Sequence, residues 1–259
     1  MNVWLPAAPC TPGACVRPAP PAATVARPRA VLRLAAVVAV VAAGVALLPL
    51  GRWMPAAAVR GWCRAVVRAA GVRVRVTGGP VPDGGVLVVA NHVSWLDVPL
   101  LAALRPARML AKAEVRRWPV AGALAARGGT LFLERDLLRA LPGAVAQVAA
   151  ALREGAAVAA FPEGSTWCGR ERGEFRRAVF QAALDAGVPV QPVRIRYGLV
   201  GGAATAVAAF VGDDTLVASL WRVVGVRGLV AEVGVRGVVN AGECGDRRSL
   251  TETAQRALG

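Results

Sequence analysis

Histidine is almost missing from this chain: His92 is the only one in 259 residues. Any reaction that needs an imidazole must therefore use that side chain, and a metal centre built on several histidines is excluded. Five cysteines, at positions 10, 15, 63, 168 and 244, form no Cys-x-x-Cys pair and are odd in number. That spacing argues against a secreted disulfide framework and against a zinc site, so no metal is expected. Neither a Walker A loop nor a G-x-G-x-x-G turn occurs, which removes nucleotide hydrolysis and dinucleotide chemistry as first readings. No G-x-S-x-G elbow surrounds Ser94, Ser165 or Ser249, so a covalent serine nucleophile is a poor candidate. Cys168 stands near Glu163 but has no second histidine to activate it. Acidic residues are missing too. The first 80 residues hold ten arginines and no Asp, Glu or Lys, so +10 of the formal +15 sits there.

What remains is apolar. Hydrophobic residues make up 56% of the chain, which excludes a disordered polyelectrolyte. Residues 1–29 carry seven prolines and are expected to form a disordered tail. The apolar run comes after them, at 34–50, an order that does not fit a signal peptide. Its seventeen uncharged residues span about 25 Å, short of the roughly 30 Å hydrocarbon core. Extension to Val31 includes Arg33, which would have to snorkel. A membrane helix is the leading reading and a buried core helix the alternative. In the next segment, 55–70, Arg60, Arg64 and Arg68 fall on one helical stripe, with Val59, Trp62, Cys63, Val66 and Val67 supplying the apolar side. Such a helix suits an anionic headgroup layer, although a solvated surface face has the same pattern. The segments 30–70 thus form an N-terminal membrane-associated unit, and 71–259 one further domain.

From residue 71 the pattern changes to short apolar runs separated by helical stretches. Strands are expected at 72–77, 86–90, 108–112, 129–133, 156–161 and 190–197. Helices are expected at 95–104, 115–127, 137–154, 174–186 and 214–224, with one or two strands before a last helix at 249–258. Ser249 and Glu252 would make a capping box for that last helix. This alternation predicts an α/β fold with a mostly parallel sheet flanked by helices.

Ligands of such sheets bind beyond the carboxyl ends of the strands. Asn91-His92-Val93-Ser94-Trp95-Leu96-Asp97 follows the second expected strand, Glu134-Arg135-Asp136 the fourth, and Pro162-Glu163-Gly164-Ser165-Thr166 the fifth. On one continuous helix His92 and Asp97 would diverge by about 140°. With His92 in the loop and a helix starting near Ser94, Asp97 reaches back. A carboxylate on Nδ1 leaves Nε2 lone-paired, which makes His92 a general base for a hydroxyl or water. Ser94-x-x-Asp97 is also a capping spacing, and His92 could equally be a satisfied histidine at a strand end.

Four ordered motifs over residues 60–200 carry a likeness to a known family. They are N-H-x-x-x-x-D (Asn91, His92, Asp97), G-x-x-F-L-x-R (Gly129, Phe132, Leu133, Arg135), F-P-E-G-S (161–165), and V-P-V-x-P (188–192). Lys112, Glu114 and Trp118-Pro119 fit the stretch between the first two. In these residues the chain resembles the 1-acylglycerol-3-phosphate acyltransferases, a glycerolipid acyltransferase family.

The resemblance implies an O-acyltransferase that moves an acyl chain from acyl-CoA or acyl carrier protein to the hydroxyl of a lysolipid. His92 would be the base and Asp97 the holder of its tautomer. Asn91, Lys112, Phe132, Arg135, Glu163, Gly164, Ser165 and Thr166 would bind substrate, with Arg135 on a headgroup phosphate and Glu163 orienting the acceptor. No cofactor and no nucleic acid are implied. The partners are the bilayer, the lysolipid and the acyl donor, and the place is the cell membrane with the catalytic domain on the cytoplasmic side. The leading acceptor is 1-acylglycerol-3-phosphate, giving phosphatidate. Thr166 stands where the family has arginine; Arg170, Arg172, Arg176 and Arg177 follow closely. That departure also suits a lysolipid without a phosphomonoester, such as lyso-ornithine lipid. A hydrolase using the same pair on water, and a non-enzymatic basic protein of the membrane surface, are the readings from other classes.

Overall fold

The structure is a computed structural model that describes residues 8–16, 23–134 and 138–259. Thr11 opens the first element: its hydroxyl accepts the Ala14 N–H at 3.3 Å and caps the one-turn helix α1 (Pro12–Cys15). Cys10 is buried in the main core and Pro12–Cys15 is helical, whereas the proline content predicts a tail without regular structure.

Helix α2 (Arg27–Ala46) is longer than its uncharged stretch suggests and starts seven residues before the expected run. Its 20 residues reach about 30 Å, enough for a hydrocarbon core. By length and composition alone it can cross a membrane, with a mean hydropathy of 2.0 over its most apolar part. It stops at Ala46 because the chain tightens into a 3-10 turn, Leu48–Trp53, that carries Pro49. Arg33 does not snorkel. Its guanidinium donates to the carbonyls of Val224, at 3.0 Å, and Val226, at 2.6 Å, which ties α2 to the body of the protein.

Helix α3 (Ala56–Ala69) buries Cys63, Val66 and Val67 and exposes Arg64 and Arg68, as the arginine stripe predicts. It lies tight against α2. The Trp62 indole donates to the Val40 carbonyl at 2.8 Å, and a Cβ on Gly44 would fall 2.6 Å from the Trp62 ring.

Beyond them the strands β1 (Arg73–Thr77), β2 (Val86–Ala90), β3 (Arg108–Lys112), β4 (Leu131–Leu133), β5 (Ala157–Ala160), β6 (Val190–Leu199) and β7 (Leu229–Val235) form one sheet. Its order is β1-β7-β6-β2-β5-β3-β4. Every neighbouring pair is parallel except β6 and β7, which run antiparallel. The expected mostly parallel α/β sheet is therefore the observed one. The connecting helices are α4 (Asp97–Leu104), α5 (Ala121–Arg127), α6 (Leu141–Arg153), α7 (Ala178–Ala186) and α8 (Leu216–Val224), with α9 (Arg247–Ala257) last.

Strand alternation sorts the core into two layers. Val86, Val88, Ala90, Ala157 and Ala159 face one layer with Val67, Leu100, Leu101, Val223 and Val224. Leu87, Val89, Val158 and Ala160 face the other, with Leu152, Phe180 and Leu250. Strand β1 sits at the sheet margin with all five residues exposed rather than half-exposed. Its arginines guard that edge.

Three stretches of the catalytic part show local departures from the expected helices. The stretch read as one helix at 115–127 is a 3-10 turn, Ala113–Arg117, and then α5. Pro119 separates them, and Val120 takes the left-handed φ of 62° there. Helix α7 begins only at Ala178 because the preceding segment is held elsewhere: the Arg176 N–H donates to Pro162 and the Phe175 N–H to Gln255. Helix α9 is capped by Asp246, which accepts the Ser249 N–H at 2.8 Å, and not by Ser249.

For function, one neighbour relation matters most. β2 and β5 are adjacent and parallel, with Val86 opposite Ala157 and Val89 opposite Ala160. The loops that follow them leave the same sheet edge side by side.

Candidate active site

His92 is the second residue after β2, and its ring lies flat on Phe161, the first after β5, with centroids 3.9 Å apart and planes 10° from parallel. The loop after β5 also binds its backbone: the Trp167 N–H donates to the His92 carbonyl at 2.8 Å. Nδ1 of His92 lies 2.8 Å from Asp97 Oδ2. The helix starts at Asp97 itself, later than expected, so the carboxylate turns back over its own N-terminus. There Oδ2 also accepts the N–H groups of Val93, at 2.6 Å, and Ser94, at 2.8 Å. Asp97 thus orients the histidine and ties down the loop backbone ahead of the helix, which itself has no side-chain cap.

The other oxygen, Oδ1, accepts the hydroxyl of Tyr197 at 2.6 Å. Tyr197, the only tyrosine, comes from β6 and was not picked out by the sequence reading. A buried phenol needs a partner, and that requirement is the signal that could have found it. Burial, and then the Asp97 charge, push its pKa well above 10, so it stays a donor. Asp97 is wholly buried while the His92 side chain is 21% exposed. The carboxylate thus fixes Nδ1 and leaves Nε2 as the ring's remaining nitrogen.

Glu163 is buried, and both its oxygens are engaged inward. Oε2 accepts the backbone N–H of His92 at 2.8 Å, and Oε1 that of Gly173 at 3.2 Å. Burial pushes its pKa up to about 7 although both N–H groups pull it down. In this geometry Glu163 holds the backbone of His92. Asn91 is likewise committed. Its amide donates to the Ile195 carbonyl at 2.9 Å and accepts the Ile195 N–H at 2.8 Å, locking the end of β2 to β6.

Gly164 makes the turn after Glu163 with φ of 76°, a conformation that suits glycine, and its N–H closes on the Phe161 carbonyl at 3.0 Å. Ser165 and Thr166 follow, half-buried. Lys112 is exposed at the end of β3, and Phe132 lies in β4 with the Arg116 guanidinium 5.7 Å above its ring. These two belong to the outer strands, separated from β2 by β5. Arg135 and Asp136 lie outside the described residues.

Residues 73–196 match the Acyltransferase family. The chain is 39% identical over 247 residues to the lyso-ornithine lipid O-acyltransferase of Pseudomonas aeruginosa, covering 90% of this chain and 93% of that protein. The chain belongs to the Acyltransferase family. It is also 36% identical over 197 residues to the 1-acyl-sn-glycerol-3-phosphate acyltransferase of Neisseria meningitidis, covering 75% of this chain and 76% of that one. Among solved structures, the crystal structure of the 1-acyl-sn-glycerophosphate (LPA) acyltransferase PlsC of Thermotoga maritima has the same fold. Its TM-score is 0.66 at 21% identity, over 89% of this chain and 93% of that one. This member of the Acyltransferase family therefore carries its N-H-x-x-x-x-D residues on a family sheet.

Proposed function

We propose that this acyltransferase transfers an acyl chain from acyl-CoA or acyl carrier protein to the free hydroxyl of a lysolipid, with His92 as general base. The observation that carries the reading is the Tyr197–Asp97–His92 chain of hydrogen bonds. It ends on the only histidine, in a ring steadied by Phe161.

Nε2 of His92 takes the proton of the acceptor hydroxyl, and the oxygen attacks the thioester carbonyl carbon. The carbon–sulfur bond breaks, and the proton passes from His92 to the leaving thiolate. A thiolate leaves readily, so positioning and proton removal are the main tasks. Glu163 and Asn91 act as positioning residues for His92 and β2. Arg135, Gly164, Ser165 and Thr166 are assigned to the acceptor headgroup.

The leading acceptor is 1-acylglycerol-3-phosphate, whose phosphate suits the run Arg170, Arg172, Arg176 and Arg177. A second acceptor, lyso-ornithine lipid, is favoured by Thr166 in the third motif and by the nearly full-length match to the Pseudomonas protein.

The same reading places the protein on a bilayer. Helix α2 is docked on the body through Arg33 and Trp62, which favours embedding in one leaflet over crossing. Leu32, Val38 and Leu50 are exposed, as are Leu216, Val217 and Trp221 of α8. These apolar side chains would enter lipid, with the catalytic domain on the cytoplasmic side, where the thioesters are.

An acceptor panel tests the proposal. Detergent-solubilised protein is given labelled acyl-CoA or acyl carrier protein with lysophosphatidate, other lysophospholipids or lyso-ornithine lipid. Labelled diacyl product identifies the acceptor, whereas free fatty acid as sole product assigns a hydrolase instead.

A further inference from the structure

Away from the histidine, the fold gathers three of the five cysteines. Cys10 precedes the one-turn helix α1, Cys15 ends it, and Cys168 lies in the loop after β5. Their sulfur atoms all lie within 4.8 Å of one another. Cys10 and Cys168 are buried and Cys15 is half-buried. Sequence spacing hid the cluster, because one ligand is more than 150 positions from the other two.

Backbone donors surround the sulfurs, while burial pushes the Cys10 thiol up to about 12 and opposes its ionisation. Backbone N–H groups of Arg170 and Glu171 bond to the Cys168 sulfur. The N–H of Cys168 bonds to the Cys10 sulfur. Gly169 permits the turn that aims them, with φ of 85°. Such N–H···S bonds support metal-bound thiolates. The Arg170 guanidinium donates to the Cys15 carbonyl at 2.9 Å, so a cation stands beside the cluster.

We propose that Cys10, Cys15 and Cys168 form a tris-thiolate site for Zn2+ that clasps residues 8–16 to the loop carrying Trp167. Zinc–sulfur bonds of about 2.3 Å put tetrahedral ligand sulfurs about 3.8 Å apart. The cluster closes to that spacing by shifts of under about 1 Å. Water at the half-exposed Cys15 side supplies the fourth ligand, and the bound unit carries one net negative charge in a strongly basic chain. Zinc binding releases the thiol protons to solvent, and no redox change is involved. The clasp acts on the active site only through the loop, since the Trp167 N–H holds the His92 carbonyl.

The test uses the full chain purified under reducing conditions. Metal content is measured by mass spectrometry after gel filtration, and Co2+ is titrated into the metal-stripped protein. The expected results are one zinc per chain and a tetrahedral Co2+ spectrum with a sulfur-to-metal charge-transfer band. Cys10→Ser and Cys168→Ser should each weaken binding by more than about 100-fold, while Cys244→Ser binds as the parent does. Wild-type protein that gives no charge-transfer band overturns the site, whether or not the variants fold. So does a full count of five titratable thiols in the presence of zinc. A Cys10–Cys168 disulfide that persists after reduction and zinc addition assigns the cluster to disulfide chemistry instead.

Discussion

The phenol of Tyr197 donates to Asp97 Oδ1 at 2.6 Å across 100 positions of sequence, and Asp97 in turn holds His92 Nδ1 at 2.8 Å. The buried carboxylate so meets four donors, three of them on Oδ2. Loss of the phenol leaves one oxygen of a buried anion without its partner, at a cost of about 1–3 kcal/mol. Tyr197→Phe should lower the melting temperature and reduce kcat about tenfold with little change in KM. Steady-state kinetics with thermal denaturation check both parts.

Asp97→Asn keeps the shape but replaces acceptor with donor beside the Val93 and Ser94 N–H groups. It also removes the preference for a proton on His92 Nδ1. Turnover should fall by about 10²–10⁴-fold, far more than in Tyr197→Phe. Near-wild-type activity would leave Asp97 as a holder of the loop backbone at Val93 and Ser94 alone.

Glu163 gives a pH signature. Its folded pKa is raised to about 7 from 4.5, so the folded state holds its proton more tightly than the unfolded chain. Folding is therefore not penalised below about pH 4.5. The penalty grows as pH rises through the window to about 7, reaching up to about 3 kcal/mol. Glu163→Gln removes the ionisation and keeps an acceptor for a backbone N–H. Relative to this variant, wild type should lose stability between pH 4.5 and 7 and hold a constant deficit above. Denaturant melts at a series of pH values would show it; parallel curves would contradict it.

How far the sequence reached depends on distance along the chain. Strands β2 and β3 were legible to the residue, because uninterrupted apolar or alternating runs report burial directly. His92 and Asp97 were legible because five residues and one loop separate them. Tyr197 and the three-cysteine cluster were not, since each joins segments that only the sheet order brings together. The inward role of Glu163 was hidden for the same reason: its partner is the backbone of His92, 71 positions earlier. Helix α2 misled in another way. Arginine at position 33 reads as an interruption of an apolar helix, but the carbonyls of Val224, at the end of α8, and Val226, just beyond it, satisfy it.

The proposed membrane attachment rests on the exposed apolar side chains of α2 and α8. Leu32 is 70% exposed and Val217 78%. Leu32→Asp or Val217→Asp should weaken sedimentation with anionic vesicles by about tenfold or more, since burying one such side chain is worth about 1.5–3 kcal/mol. Activity on a detergent-dispersed short-chain acceptor should remain. Unchanged vesicle binding in both variants would move the membrane surface elsewhere.

The general-base role of His92 is the central claim, and one rate comparison addresses it most directly. Purified wild type and His92→Ala are compared for acyl transfer from acyl-CoA to a lysolipid, with matching melting curves establishing that both are folded. The predicted result is a fall in kcat of about 10²–10⁴-fold with substrate binding retained. Transfer by His92→Ala within a few-fold of wild type would contradict it.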